Sequence, residues 1–265
     1  MEILKAILLG VIEGFTEFLP ISSTGHLIIA EEYLGFRDSA RLFTVVIQLG
    51  AILAVVWYYR KDLLDKVSGL FKKKTEAVGF FKNLIIATIP AGLLGMMLNE
   101  QFKSYATPAL VASALIIGAF VLLIVDNKAP KAVGGQKLEF YKISTRQALG
   151  VGLFQCLALV PGVSRSGAAI VGGLLGGLNR VTATGFSFYL AIPVLGGASA
   201  FKLIVDGGEI SSVSGGGASI VAGAIAAFIV GLAAVSWLLK YVSTHSFRVF
   251  VYYRIILGLV VLALL

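Results

Sequence analysis

The residues able to do chemistry fall in two short stretches of an otherwise apolar chain. The first is Glu13-Gly14-Phe15-Thr16-Glu17-Phe18-Leu19-Pro20-Ile21-Ser22-Ser23-Thr24-Gly25-His26. Glu13 and Glu17 stand four apart, so a helix puts both on one face. Two carboxylates in apolar surroundings repel unless a cation or a shared proton relieves them. They also sit at the negative C-terminal end of a half-helix. Hard oxygen ligands at such a place favour a divalent cation such as Mg²⁺ or Ca²⁺. The plainer reading makes them ordinary charges at an outer aqueous rim. Pro20 stops the half-helix, and Ser22, Ser23 and Thr24 suit the N-cap of the next one. Free backbone N–H groups at such an N-terminus bind anions, phosphate above all. His26 falls in the first turn of that helix, where it can give or take a proton.

The second stretch is Pro161-Gly162-Val163-Ser164-Arg165-Ser166-Gly167. The planar fork of Arg165 matches phosphate oxygens bidentately. Its structural alternative is an ion pair with Glu13 or Glu17, and the two roles can coexist. Gly162 and Gly167 let backbone approach a ligand closely. Gln48 lies about two turns into its helix, which could bring its amide to the same depth; a helix–helix hydrogen bond would explain it equally well. Carboxylates bind cations, while arginine and helix N-termini bind phosphates. The simplest ligand that satisfies all of these groups is a metal-bound pyrophosphate or phosphate ester, and a membrane setting makes its tail a lipid.

The surrounding chain must hold these groups inside a bilayer. Of its 265 residues, 58% are hydrophobic and 14% charged, with a mean hydropathy of +0.93. A soluble domain carries about 25% charged residues, so a soluble helical core is excluded. Apolar runs of about 17–25 residues are long enough to span as helices. Six spans are predicted at 41–60, 80–98, 107–126, 183–205, 216–240 and 248–265. Two further apolar segments, 3–34 and 147–178, are each broken by one of the polar stretches and are read as re-entrant hairpins. The net charge of +8 does not indicate a nucleic-acid partner. Fourteen of the 22 Lys and Arg residues lie in three loops, 60–82, 128–146 and 240–248, and loops of that kind face the cytoplasm. The opposite loops, near Glu100 to Lys103 and Asp206 to Glu209, are nearly neutral or acidic. The single Cys156 excludes an internal disulfide, and no cleavable signal is expected.

Ser22-Ser23-Thr24-Gly25 and Ser164-Arg165-Ser166-Gly167 are alike at an offset of 142. The expected fold is therefore an all-α integral membrane protein: six transmembrane helices plus two re-entrant helical hairpins in an inverted-topology repeat. It forms one membrane domain over 1–265, with pseudo-repeat halves at about 1–126 and 144–265. Such repeats put the ligand site near the midplane, where the two breaks meet. Arg254, with Tyr252 and Tyr253, reads as an interfacial anchor or packing pair. The pairs Gly172-Gly173 and Gly176-Gly177 read as close helix packing.

The two stretches, together with Phe154-Gln155-Cys156-Leu157-Ala158-Leu159 and Phe186-Ser187-Phe188, resemble the signature motifs of the undecaprenyl-pyrophosphate phosphatase family, the bacitracin-resistance proteins. The resemblance runs nearly the full length. It implies hydrolysis of undecaprenyl pyrophosphate to the monophosphate, recycling the carrier lipid for wall polymers. It also implies a divalent metal, an outward-facing active site in the plasma membrane and two inverted halves. By that resemblance Glu17 is a metal ligand or acid–base residue aided by Glu13. Ser23 is the candidate nucleophile, His26 the proton-transfer residue and Arg165 the pyrophosphate clamp. Ser22, Thr24, Ser164 and Ser166 supply hydrogen bonds to the substrate by the same resemblance, while Gln48 and Gly167 are candidates for substrate binding from their placement alone. Whether Ser23 or a water attacks stays open. Two positions depart from the family pattern: Ala169 stands where a threonine is usual, and Gly185 where a glutamate is usual and could pair with Arg165 or Arg180. The alternative reading is a transporter of polyprenyl phosphate or another anion using the same site. The expected partners are the lipid pyrophosphate and the membrane, with a homodimer as the candidate oligomer.

Overall fold

The fold is that of a computed structural model, which describes residues 1–38, 41–104, 107–130, 140–206 and 213–263. The described residues are helical apart from short connections and contain no strand. The chain folds as α1 (Glu2–Thr16), α2 (Ser23–Leu34), α3 (Leu42–Tyr58), α4 (Arg60–Phe71), α5 (Thr75–Ser104) and α6 (Pro108–Lys128). It continues as α7 (Thr145–Gln155), α8 (Arg165–Leu175), α9 (Arg180–Asp206), α10 (Gly216–Val242) and α11 (Arg248–Ala263). Short 3₁₀ turns occupy Phe140–Lys142 and Cys156–Leu159. Four helices, α5, α6, α9 and α10, are long and apolar enough to cross a membrane. The bent pair α3 and α4 makes a fifth candidate. This is a multi-pass membrane protein.

Both polar stretches interrupt their apolar segments as expected. The break between α1 and α2 spans 17–22, and that between α7 and α8 spans 156–164. The helix ends are built from local chemistry. Asp38 accepts from the N–H groups of Phe43 (2.9 Å) and Thr44 (2.8 Å), closing the start of α3. Thr107 caps α6, whose first residue Pro108 has no N–H to satisfy. Ser144 and Gln147 form a capping box on α7.

Two expectations change. The loop 60–82 contains α4, bent 73° from α3. Its charges alternate with Leu63, Leu64, Val67 and Leu70 at helical spacing, which makes an amphipathic helix suited to the membrane surface. The segment Glu100 to Lys103 is helical rather than a loop, because α5 runs past its spanning part, Thr75–Met97, to Ser104. Residues 131–139 and 207–210, where parts of two further loops were expected, lie outside the described residues.

Glycines set the closest helix contacts. In the membrane, association depends on van der Waals packing between small residues. A Cβ at Gly10 would lie 2.2 Å from the Gly223 carbonyl oxygen, and one at Gly14 2.5 Å from that of Ala227. So α1 packs backbone to backbone on α10. In the second half α7 packs on α5 in the same manner, with Gly152 against Ala87. Gly172 and Gly173 pack on Phe154 and Ala183, as expected for close helix contact. Further packing joins α3 to α9 and α6 to α11.

Candidate active site

The first hairpin turns because α1 runs out at Thr16 and Pro20 has no N–H to continue a helix. Glu17 still holds helical geometry, its N–H on the Glu13 carbonyl at 2.9 Å. The carboxylates of Glu13 and Glu17 therefore share a face one turn apart, at the C-terminal end of α1. Ser22 takes φ +72°, a region that residues with a Cβ rarely enter. In that strained conformation it caps α2, its hydroxyl accepting from the Gly25 N–H at 3.4 Å. Strain of this kind collects at functional sites.

The second hairpin ends α7 in a 3₁₀ turn and reverses at Gly162, where φ is +93°. A Cβ there would lie 2.5 Å from the Val111 carbonyl oxygen, so only glycine fits. Ser164 then caps α8, accepting from the Gly167 N–H at 3.1 Å. The two breaks meet through backbone. Ser166 Oγ donates to the Leu19 carbonyl at 2.8 Å, and Ser164 Oγ lies 2.9 Å from Ser166 Oγ. These two hydroxyls, expected to bind substrate, here join one hairpin to the other.

Glu17 is the centre of the polar cluster. One carboxylate oxygen accepts from Ser23 Oγ at 2.5 Å, and the other from Arg165 Nη2 at 2.9 Å. Arg165 Nη1 donates to the Ser187 carbonyl at 2.8 Å and to its hydroxyl at 3.3 Å. Glu17 is 4% exposed and Glu13 1%. Breaking a buried pair of this kind costs about 3–5 kcal/mol, because one charge is left uncompensated. Among the described residues, the two carboxylate oxygens of Glu13 and the Nε of Arg165 have no hydrogen-bond partner in this cluster. An orphaned, desolvated carboxylate is costly and marks a place for a cation or a proton. Among the described residues, no group of three or more His, Cys, Asp and Glu is arranged to hold a metal.

His26 is fixed at both ring nitrogens. Nδ1 lies 2.7 Å from the Ser22 carbonyl oxygen, so it carries the proton and donates. Nε2 then accepts from the Tyr253 hydroxyl at 2.6 Å. Thr24 is exposed in the first turn of α2. Gln48 is half-buried on α3 and makes no side-chain hydrogen bond among the described residues.

Arg254 overturns its sequence reading as an interfacial anchor. It is 2% exposed and donates to three carbonyls: Leu115 (3.0 Å), Ala114 (3.2 Å) and Pro20 (3.1 Å). It ties α11 and α6 to the first break. Gly118 makes room, since a Cβ there would lie 2.2 Å from Nη2. The signal was present, because an arginine within an apolar membrane run is functional or structural by default. Ser187, within the Phe186-Ser187-Phe188 likeness, and Tyr253, beside Arg254, were in view in the sequence, but only the tertiary fold brings them to Arg165 and His26. Of the two departures, Ala169 is fully buried in the apolar core. Gly185 removes no needed partner: Arg165 pairs with Glu17, and Arg180 with Asp126 at 2.5 Å.

The likeness to known proteins covers almost the whole chain. It is 46% identical over 263 residues to undecaprenyl-diphosphatase 1 of Burkholderia cenocepacia, covering 98% of this chain and 94% of that protein. It is 45% identical to undecaprenyl-diphosphatase 3 of Acinetobacter baylyi, covering 99% and 97%. Against the undecaprenyl-diphosphatase of Bordetella pertussis the identity is 41%, covering 99% and 96%. The family model described as bacitracin resistance protein BacA matches residues 6–260. With both hairpins in place and its polar residues meeting at one buried cluster, this chain belongs to the BacA family of bacitracin resistance proteins.

Proposed function

We propose that this chain is a membrane phosphatase that hydrolyses undecaprenyl pyrophosphate to undecaprenyl phosphate and inorganic phosphate. One observation carries the mechanism: the Glu17 carboxylate bridges Ser23 Oγ and Arg165. A carboxylate hydrogen-bonded to a serine hydroxyl is placed to take its proton. Ser23 Oγ then attacks the terminal phosphorus as its proton passes to Glu17; the bond to the lipid monophosphate breaks, and Glu17 passes that proton to the departing phosphate oxygen. The freed Glu17 carboxylate then deprotonates water, which opens the phosphoserine; inorganic phosphate leaves, and Glu17 returns the proton to Ser23 Oγ. Arg165 neutralises the oxygens of the transferring group with its guanidinium, and its unpartnered Nε is a donor still available to substrate. The N-termini of α2 and α8 offer free backbone N–H groups to the same anion. His26 serves proton transfer, with its tautomer set by Ser22 and Tyr253.

A divalent cation, Mg²⁺ or Ca²⁺, fits the orphaned carboxylate of Glu13 beside Glu17. Two carboxylates suit a hard cation that completes its shell with water and substrate phosphates. When bound it would lower the charge on the pyrophosphate.

The finer architecture is six spans and two re-entrant hairpins in inverted halves, with the site towards the outer face. Its support is the packing: α1 lies on α10 as α7 lies on α5, while α3 meets α9 and α6 meets α11, the pairings a two-fold relation produces. The loop charges support the outward site. A homodimer is proposed as the oligomer; a single-chain mass for the solubilised protein would remove it.

The deciding experiment is phosphate release from undecaprenyl pyrophosphate by purified protein, with and without Mg²⁺ or Ca²⁺. Metal-dependent release is expected, with radiolabelled phosphate trapped on wild type but not on Ser23→Ala. Release without any trapped phosphoserine would replace Ser23 with water as the attacking group. No release from folded protein would remove the phosphatase reading.

A further inference from the structure

At the open end of the first hairpin, where α2 leads into α3, three polar side chains meet. Glu31 lies on α2, Asp38 just before α3 and Thr44 in its first turn, and all three are half-buried. Asp38 is fixed in place. Its two oxygens accept from the Phe43 and Thr44 N–H groups at 2.9 and 2.8 Å. The preceding residue, Arg37, exchanges two hydrogen bonds with Ser214: its N–H donates to Ser214 Oγ at 3.0 Å, and the Ser214 N–H donates to its carbonyl at 3.1 Å. Thr44 Oγ1 lies 2.7 Å from Asp38 Oδ2 and 3.1 Å from Glu31 Oε1. A hydroxyl has one proton, so it can donate to only one of two carboxylates. Asp38 is nearer and already the acceptor of two N–H groups, so it takes that proton. Glu31 then meets the hydroxyl's lone pairs, and the contact holds when Glu31 carries a proton and donates it. The result is a directed chain, Glu31 to Thr44 to Asp38, that ends at a solvent-reached carboxylate. Its inner member is close enough to act electrostatically on Glu13, which is 1% exposed and has both oxygens without a hydrogen-bond partner among the described residues. Asp38 and Arg41 are the charges that act on Glu31 from its outer side.

We propose that Glu31, Thr44 and Asp38 form the outlet for the proton that hydrolysis sets free, an inference that rests on the phosphatase reading. The anhydride takes up one water, and the proton handed to the departing lipid phosphate becomes surplus when that product ionises, because a phosphate monoester loses its second proton at about pH 6. A buried site must pass that proton to the solution. Glu31 stands two turns beyond Ser23 along α2, about 12 Å of helix rise, too far to touch the reacting phosphorus, so it acts as a relay and not as a catalytic base. Water on the Glu13 side brings the proton to Glu31. As it arrives, the proton already on Glu31 moves to Thr44 Oγ1 and the Thr44 proton moves to Asp38 Oδ2. Asp38 yields it to solvent, and rotation of the Thr44 hydroxyl restores the chain.

Steady-state phosphate release from undecaprenyl pyrophosphate by the purified full chain, in weak buffer and then with added imidazole as a small mobile proton carrier, tests this. In weak buffer Glu31→Gln and Thr44→Val should lower kcat about tenfold, less than the loss of a direct acid–base group brings, with KM unchanged. Imidazole should restore most of the lost rate in both variants and leave the wild type as it was. Thr44→Ser, which keeps a hydroxyl at the same place, should recover the wild-type kcat without imidazole. Unchanged kcat in Glu31→Gln would overturn the outlet. So would a loss that imidazole does not repair and that comes with a lower melting temperature, since the three residues would then only staple α2 to α3. Absence of release from the wild type itself would remove the phosphatase reading and the outlet with it, whereas an active wild type beside indifferent variants removes the outlet alone.

Discussion

The two hairpins share a helix–break–helix plan and carry opposite chemistry. Each enters as a helix, breaks, and restarts on a serine cap, Ser22 in one and Ser164 in the other. Residue by residue at an offset of 142, Glu13 faces Gln155, Glu17 faces Leu159, Ser23 faces Arg165 and His26 faces Ala168. The first hairpin holds the acids, the hydroxyl and the imidazole; the second holds the cation. Neither has a complete site alone. An isolated buried charge is costly, so the Glu17–Arg165 pair also presses the halves together. Glu13 and Gln155, equivalent positions of the two hairpins, are both buried and both without side-chain partners among the described residues. One carries a charge that calls for a cation; the other is neutral and calls for none.

The largest blow to this division of labour is Arg165→Ala. Losing a preorganised donor to the transferring group should lower phosphate release by about 10²–10³-fold or more. Arg165→Lys should recover little, because an ammonium cannot serve Glu17 and Ser187 with one planar fork. A Lys variant near wild-type rate would reduce Arg165 to a point charge.

Glu13→Gln makes the first hairpin carry what the second carries at 155. The Mg²⁺ titration midpoint should rise by at least about 10–100-fold, while the folded fraction stays that of wild type. An unchanged midpoint would place the cation elsewhere.

His26→Ala should reduce kcat by about 10²-fold. Tyr253→Phe, which removes only the hydroxyl that fixes the ring, should cost tenfold at most, the equivalent of about 1.4 kcal/mol. Equal losses would make Tyr253 a partner in proton transfer rather than an orienting group.

The smallest effect on the comparison is structural. Arg254→Met leaves the carbonyls of Pro20, Leu115 and Ala114 without that donor. Unfolding should become easier by about 1–3 kcal/mol, read as a lower melting temperature of the solubilised protein. No change would mean water replaces the guanidinium.

Reading the chain alone determined a good deal, for identifiable reasons. Long apolar runs and few charges can only be membrane helices, since an unpaired backbone is intolerable in hydrocarbon. Proline, glycine and serine clusters inside those runs mark breaks, because each acts through its own local backbone. Thus the positions of both breaks, and the meeting of Glu17 and Ser23 with Arg165, were legible from spacing and from the family likeness. What sequence could not decide was partnership across distance. Arg254 contacts the Pro20 carbonyl, 234 residues away, and His26 contacts Tyr253, 227 residues away; backbone carbonyls and tyrosines carry no signal of their future partners. The amphipathic α4 was hidden among the lysines of a basic loop, where charge outweighs a short apolar face. The hydrogen bonds of Ser164 and Ser166 to the Leu19 carbonyl were likewise decided only when the folded chain brought the two breaks together.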